Sequence, residues 1–355
     1  MGHLWVVHHP DVPHQRPSPV PLQIITGFLG AGKTTLLNTL LKAPELSGTV
    51  VIVNEFGEVG LDHLLMQGVE DGMILLESGC LCCTIRGDLV NTLEDLLRRR
   101  DNQRIVPFQR VIIETTGIAD PVPILNAVLL HPYLSQRYEL DGVVTVVDAV
   151  NGAATIEAHQ EALRQIAVAD RLVITKTDLL PGGALPSALD DLLRELNPGA
   201  LRLDAAKGEA IPTALIGLGM FDIAAKPAEI DAWLAVDSVQ TGHASHDHDI
   251  SRHGAGIQSF VLTSDQPVRS QTLDLFWSLL RSTHGPKLLR LKGIVNVAEH
   301  PDAPLVLQAA QQVMHPPVAL PAWPSQDRRS RLVVIVQDLD PSVVRQLWSA
   351  FLGQS

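Results

Sequence analysis

From Leu22 onward, short aliphatic runs alternate with amphipathic stretches. The runs at 22–26, 49–55, 73–77, 110–114, 142–148, 171–175 and 200–204 are apolar at successive positions, as strands buried on both faces are. Between them, apolar residues recur at helical spacing over 33–42, 88–100, 122–130, 153–168, 186–196 and 210–217. Strands each followed by a helix predict an α/β fold, a mostly parallel sheet covered on both sides. Such sheets take their ligands beyond the carboxyl ends of the strands. The pattern lapses over 237–256, a polar, histidine-rich stretch that reads as a linker. Beyond it, strands are predicted at 257–263, 288–297 and 332–337, and helices at 270–283 and 341–351. Segment 305–314 suits either state. The expected layout is a disordered tail (1–20), a nucleotide-binding domain (21–236), the linker, and a smaller C-terminal α+β domain (257–355).

The first strand run leads into Gly27-Phe-Leu-Gly-Ala-Gly-Lys-Thr34, which fits G-x-x-x-x-G-K-[ST] between a strand and a helix. In that context the loop is a P-loop, and the fold is expected to be that of a P-loop NTPase. Glycines let backbone N–H groups curl around phosphates, and the helix N-terminus adds partial positive charge. Gly27, Gly30, Ala31, Gly32, Lys33, Thr34 and Thr35 are therefore the candidate phosphate contacts. Lys33 is expected to reach the β- and γ-phosphates, and the Thr34 hydroxyl to ligate Mg²⁺. A second run ends in Glu114, followed by Thr-Thr-Gly117. A carboxylate there can hold a Mg²⁺-bound water, and the glycine lets the chain approach a γ-phosphate. Lys33, Thr34, Glu114 and Glu55 are the catalytic candidates. The residue that orients the attacking water stays open between Glu55 and Asp148.

A later strand runs into Thr175-Lys-Thr-Asp178. A carboxylate at this position can accept from guanine N1 and N2, a donor pair that adenine lacks. The Lys176 stem can lie on the purine face. The segment resembles the N-K-x-D motif of GTPases with Thr175 in place of Asn, so GTP is the expected nucleotide. The alternative is a helix cap at Asp178.

Charge narrows the partners. Lys and Arg number 27 against 39 Asp and Glu, a formal net charge of −12. Without a cationic block the chain is not expected to bind nucleic acid or an anionic membrane. No run is long enough to span a bilayer, the N-terminus lacks the form of a secretory signal, and Val6 breaks the myristoylation pattern. A cytoplasmic location is expected. All 3 cysteines fall within four positions, Cys80, Cys82 and Cys83. Reduced thiols clustered after a predicted strand suit a borderline or soft metal such as Zn²⁺, Co²⁺ or Cu⁺, with a redox C-x-C pair as the alternative. Candidates for a further ligand are Glu55, Glu58, His63 and His131. In the linker, His243, His246 and His248 form a second metal-capable tract.

Taken together, Gly27–Thr34, Val53-Asn-Glu-Phe-Gly-Glu-Val-Gly60, Gly79-Cys-Leu-Cys-Cys83, Glu114-Thr-Thr-Gly-Ile-Ala-Asp-Pro121, Val146-Val-Asp148 and Thr175–Asp178 resemble the CobW family of metallochaperone GTPases. Arg290-Leu-Lys-Gly-Ile294 and Ser330-Arg-Leu-Val-Val334 resemble that family's second domain. The resemblance implies a Mg²⁺-GTP-dependent carrier of zinc or cobalt that serves a client apo-metalloprotein; the oligomeric state stays open, a homodimer being one option. It further implies Cys82 and Cys83 as thiolate ligands with Cys80 the third, and Glu55 in a switch segment. Two other readings remain at this point, a non-catalytic metal buffer or sensor and a P-loop small-molecule kinase.

Overall fold

A computed structural model of the chain describes residues 18–53, 75–77, 85–217, 256–311, 313–314 and 317–353. The expected tail is described only at its end, and the linker only at Gly256. The C-x-C-C loop lies outside the described residues.

Strands β1 (Val20–Gly27), β2 (Thr49–Val53), β3 (Leu75–Glu77), β4 (Arg110–Glu114), β5 (Tyr138–Asp148), β6 (Arg171–Thr175) and β7 (Leu201–Asp204) form one sheet. Its order is β3-β2-β4-β1-β5-β6-β7, and every pairing is parallel. The order reverses around β1, which places the turn after β1 at a switch point of the sheet. Alternate residues point to opposite faces. Ile24, Ile52, Val111 and Ile113 pack under α2 (Ile85–Asp101) and α3 (Val122–Leu129). Ile25, Val51, Ile112 and Val144 pack under α1 (Lys33–Leu40).

Three local departures from the sequence pattern bear on the site. The helix predicted over 153–168 is two, α5 (Gly152–Ala158) and α6 (Gln160–Ala167), broken at an extended His159 with φ −133° and ψ 117°. β5 begins at Tyr138, four residues before the expected start, and its register against β1 shifts between Leu22 and Gln23. The short α4 (Leu134–Arg137) was not foreseen. The remaining helices of this layer are α7 (Ser187–Leu196) and α8 (Pro212–Leu215).

The second domain is an antiparallel sheet of β8 (Ile257–Ser264), β9 (Leu288–Val295), β10 (Leu305–Ala310), β11 (Val313–Met314), β12 (Val318–Ala319) and β13 (Ser330–Gln337). Its order is β11-β10-β9-β13-β8, with β12 beside β10. Segment 305–314 is thus a hairpin, turning at Gln311 with φ 54°. Helices α9 (Ser270–His284) and α10 (Pro341–Phe351) cover one face through Phe276, Trp277, Leu280, Val344 and Trp348. Asp340 caps α10 by accepting from Ser342 N at 2.8 Å.

The two domains share core. Leu289, Ala310 and Ile335 of the second sheet join the cluster formed by Val20, Leu22, Leu140, Val143, Ala167 and Val168. At this seam Asp170 is 1 % exposed. Its Oδ2 accepts from Val143 N at 2.9 Å, and its Oδ1 accepts from both the Arg290 guanidinium and the Lys292 ammonium of β9. Burial alone would raise the Asp170 carboxyl, but Arg290 and Lys292 hold it well below the usual carboxylate range. Burial pushes Lys292 down to about 8 against the upward pull of Asp170.

Candidate nucleotide and metal site

The loop between β1 and α1 turns on glycines. Gly27, Gly30 and Gly32 have φ of 138°, 73° and 97°, a region that L side chains avoid. A Cβ at Gly27 would stand 2.3 Å from Val146 O, so β5 leaves room for glycine only. Gly32 opens α1 with no side-chain cap, and the first turn carries no acidic residue. The leading amides of α1 are therefore open to an anion. Lys33, buried, donates from Nζ to Phe28 O at 3.2 Å and so crosses the loop it serves. Thr35 is exposed on the first turn.

Thr34 Oγ1 donates to Glu114 Oε1 at 2.7 Å. A hydroxyl and a carboxylate meeting at a helix start are hard oxygen donors, the set that suits Mg²⁺. Next along the chain, Thr115 N donates to Ile25 O at 3.0 Å and Thr115 Oγ1 to Thr26 Oγ1 at 2.8 Å, tying the ends of β4 and β1 together. A Cβ on Gly117 would lie 2.5 Å from Leu29 N. Only glycine lets this loop touch the P-loop backbone.

On the other side of the P-loop, Thr175 Oγ1 donates to Ala31 O at 2.7 Å, with Val147 O at 3.2 Å. The threonine thus braces the phosphate loop from the strand end. Lys176 adopts φ 63°, and its Nζ lies 2.7 Å from Asp148 Oδ2. Burial would raise Asp148, but Lys176, Asn151 and the Val150 amide outweigh it and keep the carboxyl below its ordinary range. Asp178 is exposed and lies inside the short turn Thr177–Leu179, whose N-cap is Lys176, while Leu180 is the N-cap of the next. Its carboxylate is accessible to a base.

Asp204, at the end of β7, was not singled out from the sequence. Its Oδ1 accepts from Thr177 Oγ1 at 2.7 Å and from Ala206 N at 3.0 Å. Lys207 lies 3.1 Å from its Oδ2. The loop 204–207 therefore fixes the height of the Thr175–Asp178 loop. The available signal was Asp-Ala-Ala-Lys directly after a strand run. A cavity of about 270 Å³, lined by Phe28, Gly30, Asp148, Asn151, Gln165 and Lys176 among others, opens beside the P-loop.

Glu55, Cys80, Cys82, Cys83, His243, His246 and His248 lie outside the described residues, as do Glu58 and His63. Among the described residues no group of three or more His, Cys, Asp or Glu side chains could hold a metal ion. His131 is occupied locally. Its Nδ1 accepts from Leu134 N at 3.3 Å, and its Nε2 lies 3.7 Å from Glu94 Oε1. The strand that precedes the thiol loop in sequence, β3, is described. Val53 of β2 pairs in register with Glu77 of β3 and with Glu114 of β4, and Glu114 pairs with Ile25 of β1.

Residues 21–203 match the CobW/HypB/UreG nucleotide-binding domain, and residues 257–352 match the C-terminal domain of the cobalamin synthesis protein cobW. The chain belongs to the CobW family. Among its CobW relatives, the zinc chaperone YjiA of Escherichia coli is 32% identical over 336 residues, 95% of this chain and 99% of that protein. The zinc chaperone CobW of a Sinorhizobium species is 30% identical over 94% of this chain and 97% of its own. A zinc-regulated GTPase metalloprotein activator of Schizosaccharomyces pombe is 36% identical over 183 residues, 50% of this chain and 43% of that protein. The crystal structure of the Zn(II)-bound YjiA GTPase superposes with a TM-score of 0.69 at 28% identity, covering 94% of this chain and 99% of that one. No helix among the described residues is long and apolar enough to cross a membrane.

Proposed function

We propose that the chain is a Mg²⁺-dependent GTPase that carries zinc on the Cys80–Cys83 loop and delivers it to a client apo-metalloprotein in the cytoplasm. The observation that carries this reading is the level row Ile25, Glu114, Val53 and Glu77 across β1, β4, β2 and β3. One edge of the sheet thereby leads into the phosphate loop, the Glu114 loop, the segment with Glu55, and the thiol loop. Adjacent strands lie about 4.8 Å apart, so a rearrangement driven by a γ-phosphate at β1 and β4 has a short path to β3. Zinc is favoured over cobalt as cargo because the relatives that span the whole chain are named zinc chaperones.

The chain's own residues divide the work. Lys33 and the amides at the start of α1 receive the phosphates. Thr34 and Glu114 would hold Mg²⁺, which when bound supplies positive charge to the β- and γ-oxygens. Thr175 keeps the P-loop in place, and Asp178 selects the base. The cavity is lined by no arginine among the described residues, so turnover is slow until metal or client completes the site.

Two measurements test the reading. Zinc affinity, titrated with a non-hydrolysable GTP analogue, with GDP and without nucleotide, is expected to be highest with the analogue. Linkage then requires zinc to tighten the analogue by the same factor. Cys82→Ser and Cys83→Ser remove both effects and leave GDP binding intact. Equal zinc affinity in all three states would leave a metal buffer. Base choice rests on Asp178. Asp178→Asn puts an amide donor against guanine's own donors, so the variant should prefer xanthosine triphosphate over GTP by at least about tenfold. Competition by ATP as strong as by GTP in the unaltered protein would overturn the guanine assignment.

A further inference from the structure

Helix α6 and the residue before it touch both the P-loop and the loop that follows β4. His159, the residue before it, stacks on Phe28 of the P-loop with ring centroids 4.4 Å apart and planes at 28°. Six residues further on, within α6, Gln165 is 1 % exposed. Its Nε2 donates to Gly117 O at 3.1 Å and to Ala119 O at 3.0 Å. Its neighbour Arg164 places Nη1 3.0 Å from Asp120 Oδ2. Asp120 in turn accepts from Val122 N at 3.0 Å on its other oxygen. The seat of α6 on the sheet is fixed from below, where Thr145 Oγ1 donates to Gln165 O at 2.7 Å.

We propose that Gln165 is a positioning residue for the GTPase cycle, holding the Thr115–Pro121 loop at the distance from the P-loop that a nucleoside triphosphate requires. The inference rests on the GTPase reading above. A buried amide with two donor hydrogens directed at two carbonyls of one loop is a strong tie, because leaving those carbonyls unpaired costs more than the bonds themselves contribute. Gly117 is thus held between Gln165 on one side and Leu29 on the other. Gln165 also lines the cavity beside the P-loop. It touches neither Thr34 nor Lys33, so it acts through the loop and not on the phosphates. A diphosphate does not need the loop; a triphosphate does.

The test uses the full chain with Gln165→Leu, which keeps the shape and removes both donors, and Gln165→Asn, which keeps the amide but shortens its reach. Affinities for GDP and for a non-hydrolysable GTP analogue are measured by titration, alongside steady-state kcat and KM and amide hydrogen exchange over 115–121. The expected result for Gln165→Leu is GDP affinity within about twofold of the original and analogue affinity lowered about tenfold, the size of losing two modest hydrogen bonds. kcat is expected to fall further than KM rises, and exchange over 115–121 to quicken. Gln165→Asn should show the same signs at smaller size, which keeps the test sound if the leucine variant folds poorly. Folded variants whose analogue-to-GDP affinity ratio is unchanged would overturn the inference and leave the GTPase reading standing. An unaltered protein that binds no guanine nucleotide would overturn both.

Discussion

Asp170→Asn is expected to lower the unfolding free energy by about 3–5 kcal/mol, the range for removing one charge from a buried ion cluster. The substitution keeps the size of the side chain and its acceptor for Val143 N. It removes the charge that Arg290 and Lys292, both buried, share. The acid limb of stability carries a second signature. The carboxyl of Asp170 is lowered on folding, so it contributes stability that is present above its unfolded value near 4 and lost as pH falls through the folded value. Denaturant titrations at pH 7 and at about pH 2.5, below the unfolded value, should therefore show a smaller acid loss for Asp170→Asn than for the original chain. A loss under about 1 kcal/mol at pH 7 would mean that the seam admits water.

The second large effect is catalytic. Lys33→Ala removes the cation that crosses the phosphate loop at Phe28 O, and GTP turnover is expected to drop by roughly 10²–10³-fold, as when one preorganised donor is lost from an active site. The fold should persist, because α1 retains Leu36, Leu37 and Leu40 in the core. Single-turnover hydrolysis with a circular-dichroism control checks both halves. A folded variant with undiminished turnover would sink the P-loop assignment.

What could be read from the chain depended on how far apart the partners lie. β4 and β6 were legible to the residue because each is a pure aliphatic run between polar ends, Arg110 to Glu114 and Arg171 to Thr175. The P-loop was legible because its strand, glycines and helix are contiguous. The brace from Thr175 to Ala31 was half legible: the likeness to N-K-x-D singled out Thr175, and the structure shows its hydroxyl reaching the P-loop across 144 residues. The break at His159 was not legible, since 153–168 is apolar at helical spacing throughout. At the break His159 stacks on Phe28, a partner far upstream that the local pattern does not show. Gln165, Asp170 and Asp204 were passed over for the same reason. Each looks like an ordinary polar residue until Gly117, Arg290 or Thr177 is brought against it. Segment 305–314 was ambiguous because its pattern has no turn glycine; Gln311 takes the positive φ instead.

The seam at Asp170 also sets a timetable for the nascent chain. Its two cationic partners follow it by 120 and 122 residues. At about 5–20 residues per second, the ribosome leaves the carboxylate and the apolar strip around Val143 and Val168 without their cover for roughly 6–25 s. In the later part of that interval, once α8 has followed at Pro212–Leu215, the first domain has its elements but not its cover. The stretch of synthesis between Asp170 and Lys292 is thus when this protein is most exposed to aggregation, and when a chaperone that shields apolar surface would matter most to its yield.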